Sequence, residues 1–183
     1  ATVGGVTDLR GNLALVNRLV TRGDNNLWLE DLAANTSELL TKHEGTAQVS
    51  GVFGADTNTI YLAHNLGRDR MVFARMQRAS RSEPMQLQTL AARDDAELDD
   101  FVLDKDKTQA LLVWNVAGRN ELELIDLATG EGQELGAAPA ELVSGVEYSP
   151  DGRRVVMALS GSTAPADLWE LDLATEEYTR LTW

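Results

Sequence analysis

The sequence predicts an all-β protein made of four repeated units, each a four-stranded antiparallel sheet. Three observations lead to this prediction: a recurring segment, the turn residues that follow it, and apolar strands ahead of it. The segment LWLEDL at Leu27 recurs as MVFARM at Met71, LELIDL at Leu122 and LWELDL at Leu168, at intervals of 44, 51 and 46 residues. A period of this length is typical of arrays in which each repeat is one supersecondary unit.

The turn residues support a strand–turn–strand structure at the end of each repeat. The recurring segment continues as DLAAN, DLATG and DLATE in three of the four repeats. Asn35 and Gly130 suit the left-handed conformation that closes such a turn. Glu176 stands at the same place in the last repeat, so we expect that turn to be of another type or mildly strained. Further upstream, Pro150 and Gly152 in the stretch SPDG suit a hairpin between the first two strands.

Each repeat also has a strand pair ahead of the recurring segment. In the third and fourth repeats its second strand is apolar on both faces, with LLVW at 111–114 and VVMA at 155–158. This pattern is typical of a strand buried on both sides. Four-stranded units of 40–50 residues with such central strands are β-propeller blades, so we predict a partial β-propeller. The predicted blades form one domain, 1–183, and span 1–45, 46–92, 93–139 and 140–183.

A helical fold is the alternative, and the period of the apolar residues argues against it. No segment sustains apolar residues at helical spacing for long, and β-branched residues are concentrated in the predicted strands. The stretch LALVNRLV at 13–20 is the one segment with an arguable helical pattern. Its flanks match the strand pairs of the other repeats, so we predict a strand there too.

Composition narrows the possible partners and compartments. The net charge of −13 argues against the basic surface that nucleic-acid binding needs. No apolar run approaches the roughly 20 residues of a membrane helix, so we expect no membrane partner. The chain has no cysteine and shows no signal peptide at its first residues. These features favour a cytoplasmic protein.

The sequence lacks the signatures of a catalytic or metal site, so we expect neither an enzyme nor a cofactor. It contains no G-x-S-x-G nucleophile elbow. Ser160 and Ser162 are predicted in a loop rich in small residues. His43 and His64 are the only histidines. They follow or end predicted strands, and their spacing is no zinc signature. We expect both to be structural or surface residues.

Two acidic stretches and the tryptophans remain as candidate functional groups. The stretch DKDKT at 104–108 lacks the glycine and terminal glutamate of a calcium loop and falls where a hairpin turn is predicted. Asp99 and Asp100 enter the third blade on its first strand, which lines the central channel of a propeller. They are candidates for binding a cationic group, although a solvated strand start is the simpler interpretation. The tryptophans in predicted strands are expected in the core. These are Trp28, Trp114 and Trp169.

Longer stretches resemble one family. SPDGRRVVMALSGSTAPADLWELDLATEEYTRLTW at 149–183 is similar to the closing blade of the propeller in bacterial prolyl oligopeptidase-family serine peptidases. TIYLAHNLGRDRMVFARM at 59–76 is similar to an earlier blade, as is the stretch ALLVWNVAGRNELELIDLATGEGQELGAAPAELVSGVEYSPDGRR at 110–154. The resemblance implies the last four blades of a seven- or eight-bladed cap that gates an α/β-hydrolase domain. That hydrolase domain is missing from this sequence.

Four blades alone leave the outer faces of the first and last blades exposed. We therefore expect a non-catalytic module that acts in binding or assembly, with a homodimer completing a ring of about eight blades. A peptide or protein is the other expected partner. One alternative is a fragment of an active serine peptidase. Another is an interaction scaffold like the WD-repeat proteins.

Overall fold

A computed structural model describes residues 2–183 and contains four antiparallel sheets of four strands each, which confirms the predicted all-β fold of four blades. In every sheet the strands lie side by side in chain order. Sheet 1 contains β1 (Thr2–Arg10), β2 (Leu13–Thr21), β3 (Asp24–Asp31) and β4 (Thr36–Leu39). Sheet 2 contains β5 (Val49–Phe53), β6 (Thr59–His64), β7 (Val72–Gln77) and β8 (Gln86–Ala91).

The second half of the chain repeats this arrangement. Sheet 3 contains β9 (Glu97–Leu103), β10 (Gln109–Val116), β11 (Arg119–Asp126) and β12 (Gly132–Glu134). Sheet 4 contains β13 (Leu142–Tyr148), β14 (Arg154–Gly161), β15 (Ala164–Asp172) and β16 (Tyr178–Arg180). The segment with the arguable helical pattern is strand β2. Within residues 2–183 no helix has the length and apolar character needed to cross a membrane.

The chain divides into two compact units, Ala1–Ala92 and Arg93–Trp183, each made of two sheets. In the first unit, sheets 1 and 2 pack through apolar faces that alternate along their strands. Leu15 and Leu27 of sheet 1 meet Phe53, Ile60 and Leu62 of sheet 2, and all five are fully buried. In each unit the first strands of the two sheets are in contact, β1 with β5 and β9 with β13.

The second unit has an equivalent core between sheets 3 and 4. Leu111 and Val113 of β10 pack with Val155, Met157 and Leu171 of sheet 4. All of these side chains are at most 1% exposed. Each unit therefore buries one face of every sheet it contains by stacking that sheet on its partner.

Three of the four first strands, β1, β9 and β13, are irregular, a feature that no sequence pattern predicted. The register of β9 with β10 shifts between Val113 and Trp114, and that of β13 with β14 shifts between Ser144 and Glu147. Strand β1 has similar shifts. Such bulges bend a strand and change the direction of its side chains. They therefore decide where the acidic residues of β9 and β13 point.

The turn at Glu176 decides between the two outcomes that the sequence predicted. Glu176 has φ 57°, close to φ 52° at Asn35 and in the same left-handed region as φ 78° at Gly130. The Glu176 amide donates to the Asp172 carbonyl at 2.8 Å, as Gly130 does to Asp126. The last turn is therefore of the same type as those at Asn35 and Gly130, which leaves mild strain as the outcome among the two that were expected. The mild strain that the sequence suggested is present, because left-handed backbone is unfavourable for a residue with a Cβ atom.

The repeat register in the second blade also needs correction. The last residue of the third strand pairs with the first residue of the second strand in all four sheets. That last residue is Asp31 in sheet 1 but Gln77 in sheet 2. The residue equivalent to Leu27 is therefore Phe73, two residues after the predicted Met71. A longer connection ahead of β7 hid this offset in the sequence.

Candidate functional site

Asp99, one of the two predicted channel residues, is held by amide side chains. Its carboxylate accepts hydrogen bonds from Asn115 Nδ2 at 3.1 Å and from Asn120 Nδ2 at 2.9 Å. Asn120 also accepts a hydrogen bond from the Val143 backbone at 2.8 Å through its Oδ1. Asp99 thus helps to orient an amide that joins sheet 3 to sheet 4, so it has a clear structural role.

Asp100, the second predicted residue, has a less favourable environment for a carboxylate. Burial raises its pKa above the ordinary value, and repulsion from Asp99 and Glu147 raises it further. Glu147 lies on β13, the first strand of sheet 4, which contacts β9. The structure therefore brings together three carboxylates, Asp99, Asp100 and Glu147, which we call the acidic edge. Glu147 was missed in the sequence because it lies in the next repeat.

His43 forms a buried ion pair. Its Nδ1 lies 2.8 Å from the Thr41 carbonyl oxygen, and its Nε2 lies 2.9 Å from a carboxylate oxygen of Asp24. Both neighbours are acceptors, so this geometry favours the doubly protonated form of the ring. The bond to Thr41 raises the pKa of His43, as does Asp24, while His43 lowers the pKa of Asp24. The role is structural, as predicted.

His64 is buried in the opposite protonation state. Its Nδ1 accepts a hydrogen bond from the Leu66 amide at 3.0 Å, and its Nε2 has no partner within residues 2–183. Burial, with a smaller effect of Arg68, lowers the pKa of His64 to about 4. The ring is therefore neutral at physiological pH, and the two histidines form no common site.

The remaining sequence candidates have local roles. Ser160 is the penultimate residue of β14, next to the hairpin that connects β14 to β15. This hairpin lacks the strand-to-helix turn of a nucleophile elbow. Asp104 closes the turn after β9 by accepting from Thr108 N at 2.7 Å and Oγ1 at 2.8 Å, and from Gln109 N at 3.0 Å. Over residues 2–183 no group of three or more histidines and carboxylates is placed to hold a metal ion.

The face of sheet 4 that points away from its own core carries exposed leucines beside the ion pair between Arg154 and Glu170. Leu142, Leu168 and Leu181 lie on it, and they are 47%, 44% and 46% exposed. The strand register places them together, because Leu168 pairs with Ala158 and Leu142 with Ser160. We call this surface the open face of sheet 4.

Strand β14 is buried on the core side of sheet 4 and partly exposed on the open face. Val155 and Met157 are buried in the core, but Val156 and Ala158 are only partly buried. The predicted burial on both faces is correct for β10, where 111–114 is fully buried. It is wrong for β14, because the described part of the chain leaves the second face of this strand accessible.

Sheet 1 has a corresponding open face. Val6 and Leu9 on β1 are 62% and 59% exposed. Val6 pairs with Val16, and Val16 pairs with Trp28, so these three side chains share one face. Trp28, expected in the core, is partly exposed there, and the Arg18 guanidinium lies 4.3 Å from the centre of its ring. Of the other two tryptophans, Trp114 is fully buried and Trp169 is partly buried against the core of the second unit.

An asparagine clamp between sheets is a feature that the sequence analysis missed. The Asn25 side chain bonds both backbone groups of Val49, accepting at 2.7 Å and donating at 3.0 Å. Asn120 holds Val143 in the second unit from the same place in its repeat. The signal was available, because both asparagines stand two residues before the leucine that begins the recurring segment, at Leu27 and Leu122.

Comparison with known proteins places this architecture among β-propellers. No family model and no curated protein matches the chain. TolB from Acinetobacter baumannii matches with a TM-score of 0.69, 16% identity and coverage of 93% of this chain and 41% of TolB. A puromycin-hydrolysing peptidase of Mycobacterium tuberculosis gives a TM-score of 0.75, 13% identity and coverage of 96% and 28%. Prolyl oligopeptidase B from Galerina marginata gives a TM-score of 0.73 and 16% identity, and the match covers 94% of this chain and 25% of the peptidase.

At these identities the similarity concerns the fold. The resemblance to the propellers of prolyl oligopeptidase-family peptidases is confirmed at that level, and the similarity extends equally to TolB. The chain spans 41% or less of each of these three structures. The matches lie in the propeller domain and leave the hydrolase domain out. This fits a chain whose sequence has no nucleophile elbow.

Proposed function

We propose that this chain is a non-catalytic propeller module that assembles by self-association. The open face of sheet 4 in one copy packs on the open face of sheet 1 in a second copy. Two copies related by a two-fold axis form two such contacts and contribute eight blades to one ring. The observation that carries the proposal is the open face of sheet 4, with its three exposed leucines.

The surfaces suit this contact for two reasons. Contiguous exposed apolar patches are uncommon on monomeric proteins and mark interaction sites. Both faces also belong to sheets that already pack on another sheet through their opposite side. A stacked sheet from a second copy would cover them in the way that blades cover each other inside each unit.

Sedimentation of the purified chain at micromolar concentration tests the assembly. We expect a dimer with twice the 19.9 kDa mass of one chain. Leu168→Glu places a charge in the centre of the contact and should give a monomer. Leu87→Glu is the matched control, because Leu87 on β8 is 45% exposed, against 44% for Leu168, and lies on neither open face.

Two results would contradict self-association. One is a monomer for the unchanged chain throughout the micromolar range. The other is a dimer that survives Leu168→Glu and Leu9→Glu as well as it survives the control. Either result would leave the open faces for further blades of a longer protein.

A fragment of a serine peptidase is the second candidate. The observation in its favour is the coverage of the match, which includes 96% of this chain but only 28% of the puromycin-hydrolysing peptidase. The test is the source gene after the codon for Trp183. A downstream G-x-S-x-G with later aspartate and histidine supports this candidate, and a stop codon at that point contradicts it.

Peptide binding at the acidic edge is a finer proposal about the same module. Asp100 and Glu147 repel each other, so a cationic side chain placed between them would relieve that repulsion. Titration with a lysine-rich peptide, followed by Asp100→Asn, tests it. We expect weaker binding in the variant. Equal binding by Asp100→Asn and by the surface control Asp106→Asn would rule the acidic edge out.

A further inference from the structure

A cavity of about 180 Å³ opens between sheets 1 and 2, inside the first unit. Strands β2 and β3 and the turn between them form one wall, and the start of β5 forms the other. Its lining shares no residue with the acidic edge or with the residues named on the two open faces. Its polar lining residues are Asn17, Arg22, Asp24, Asn25, Gln48 and Ser50.

Part of this lining is already committed to the fold. Asn25 is held by Val49 through two hydrogen bonds. Asp24 pairs with His43 at 2.9 Å and accepts from the Ala47 amide at 3.2 Å. These contacts fix the two walls relative to each other. Asp24 Oδ1 thus already has two partners, the His43 ring and the Ala47 amide.

Asn17 supplies an acceptor without a donor. Its Oδ1 is buried and has no hydrogen-bond partner within residues 2–183. A buried acceptor left unpaired costs about 1–3 kcal/mol. The equivalent position in sheet 3 holds an apolar residue, Val113, because Asn17 pairs with Leu27 in the way that Val113 pairs with Leu122. Val113 is a core residue there, so the fold itself does not require an amide at this position.

Arg22 supplies a free cation. It lies in the turn between β2 and β3, is exposed, and makes no hydrogen bond or ion pair with residues 2–183. Asp24, the carboxylate of the cavity lining, is paired with His43, so Arg22 is the charged lining group that is left without a partner among residues 2–183. A guanidinium in this setting is suited to a carboxylate, which it binds with two parallel hydrogen bonds.

The remaining walls are apolar, with Leu19, Val49 and Met71 facing the same cavity. The volume is below the roughly 300–1,000 Å³ of sites for drug-sized ligands, so a single residue fits better than a long segment. The lining thus offers an acceptor for an N–H group, a cation for a carboxylate and an apolar surface for a side chain.

We propose that this cavity binds an apolar amino-acid residue with a free carboxylate, either a peptide C-terminus or a small N-acylated amino acid. Arg22 binds the carboxylate, Asn17 Oδ1 accepts the amide N–H, and the apolar wall takes the side chain. The site is independent of the proposed self-association, and either can fail without the other.

Titration of the full chain with small probes, followed by amide chemical shifts, tests this site. N-acetyl-L-leucine should bind saturably and shift the amides of Asn25 and Ser50. N-acetyl-L-leucinamide lacks the carboxylate and should bind about tenfold more weakly, the loss expected for one charge-assisted hydrogen bond. Acetyl-Ala-Ala-Leu with a free C-terminus separates the two ligand sources, because only a site open to peptides binds it as tightly as the single residue.

Two variants make the proposal falsifiable. Arg22→Gln should weaken N-acetyl-L-leucine binding about tenfold, whereas Arg153→Gln, an exposed arginine of the second unit, should not change it. Asn17→Val should weaken binding and at the same time raise the melting temperature, because it removes the unpaired acceptor. The proposal is overturned if no probe binds saturably, or if binding is unchanged in both Arg22→Gln and Asn17→Val.

Discussion

At the scale of single residues, His43 links protonation to stability. Its side chain is 8% exposed and that of Asp24 is 11% exposed. Among charged side chains, Asp24 is the one that acts on the pKa of the ring. The folded pKa is raised above about 6.5, so the contribution is fully present below the unfolded pKa and is lost as pH rises through the folded pKa.

We therefore expect the advantage of the unchanged protein over His43→Gln in urea midpoint to shrink as the pH rises above the ordinary histidine pKa of about 6.5. His43→Gln lacks the titrating ring, so this contribution is absent from it. His64 acts in the opposite sense, because its pKa of about 4 in the folded state returns to the ordinary value on unfolding, but both proteins contain His64 and the comparison cancels its effect. Parallel pH profiles for the two proteins would exclude a role for the ion pair.

The left-handed turn residues give a second residue-scale prediction. Gly130 has φ 78°, and no atom lies within 4 Å of an added Cβ. Gly130→Ala therefore tests backbone conformation without a clash and should lower the free energy of unfolding by about 1–2 kcal/mol. Gly23 also has open space but no positive φ, so Gly23→Ala should be neutral or slightly stabilising. Equal urea midpoints for the two variants would contradict this explanation.

Glu176 shows how such strain is offset. Its carboxylate accepts from Gln133 Nε2 on β12 at 3.1 Å and from the Gly136 amide, just after β12, at 2.8 Å. The hydrogen bonds of the Glu176 side chain to the neighbouring repeat thus offset its unfavourable backbone conformation. The sequence showed the unusual residue but not its partners, because these lie about one repeat away.

At the scale of elements, a buried arginine replaces an apolar residue after the third strand of sheet 2. The Arg78 amide bonds the Asn58 carbonyl at the place taken by Leu32 in sheet 1. Its side chain is 0% exposed and donates to Glu38 on β4 at 2.8 Å, while its Nε and Nη2 have no partner within residues 2–183. The two sheets of the first unit are thus joined by an ion pair as well as by their core.

Removing one partner of this pair should be costly. Glu38→Ala leaves a buried cation unpaired and should destabilise by about 3 kcal/mol, the lower end of the range for buried pairs because Glu38 is partly solvated. Arg78→Leu restores the leucine of the other repeats. The double variant should recover most of the loss in urea unfolding. A double variant no more stable than Glu38→Ala would show that the pair is not the cause.

At the scale of the whole molecule, self-association makes stability depend on concentration. A partner that binds the folded chain stabilises it by mass action, by about 2.7 kcal/mol at one hundred times its dissociation constant. We expect the melting temperature to rise by several degrees over a hundredfold range of protein concentration, and to stay constant for Leu168→Glu. A constant melting temperature for the unchanged protein would contradict the dimer.

The sequence was sufficient for much of the fold. The recurring segment, the turn residues at Asn35, Gly130 and Gly152, and the alternating apolar positions define four sheets of four strands, because these signals are local. The register of the second blade was missed by two residues, since a longer connection before Phe73 shifted the match. The bulges of the first strands left no signal in composition or period.

The candidate sites were less predictable. Asp99 and Asp100 were identified on the correct strand, but Glu147 and the asparagines that hold Asp99 come from other strands or the next repeat. The inter-sheet cavity depends on Asn17 and Arg22, and neither stands in a recognisable motif. Such groups meet only through the stacking of sheets, and the sequence offers no direct measure of that.

By itself the sequence determined the all-β class, the four-blade repeat and the absence of a nucleophile elbow, because each depends on residue type and spacing along the chain. Only the tertiary structure decided which faces are covered and what each polar side chain meets. His43 and His64 show the difference, since both were expected to be structural from sequence. Packing places His43 between two acceptors, which raises its pKa. The same packing buries His64 without a counter-charge, which keeps it neutral.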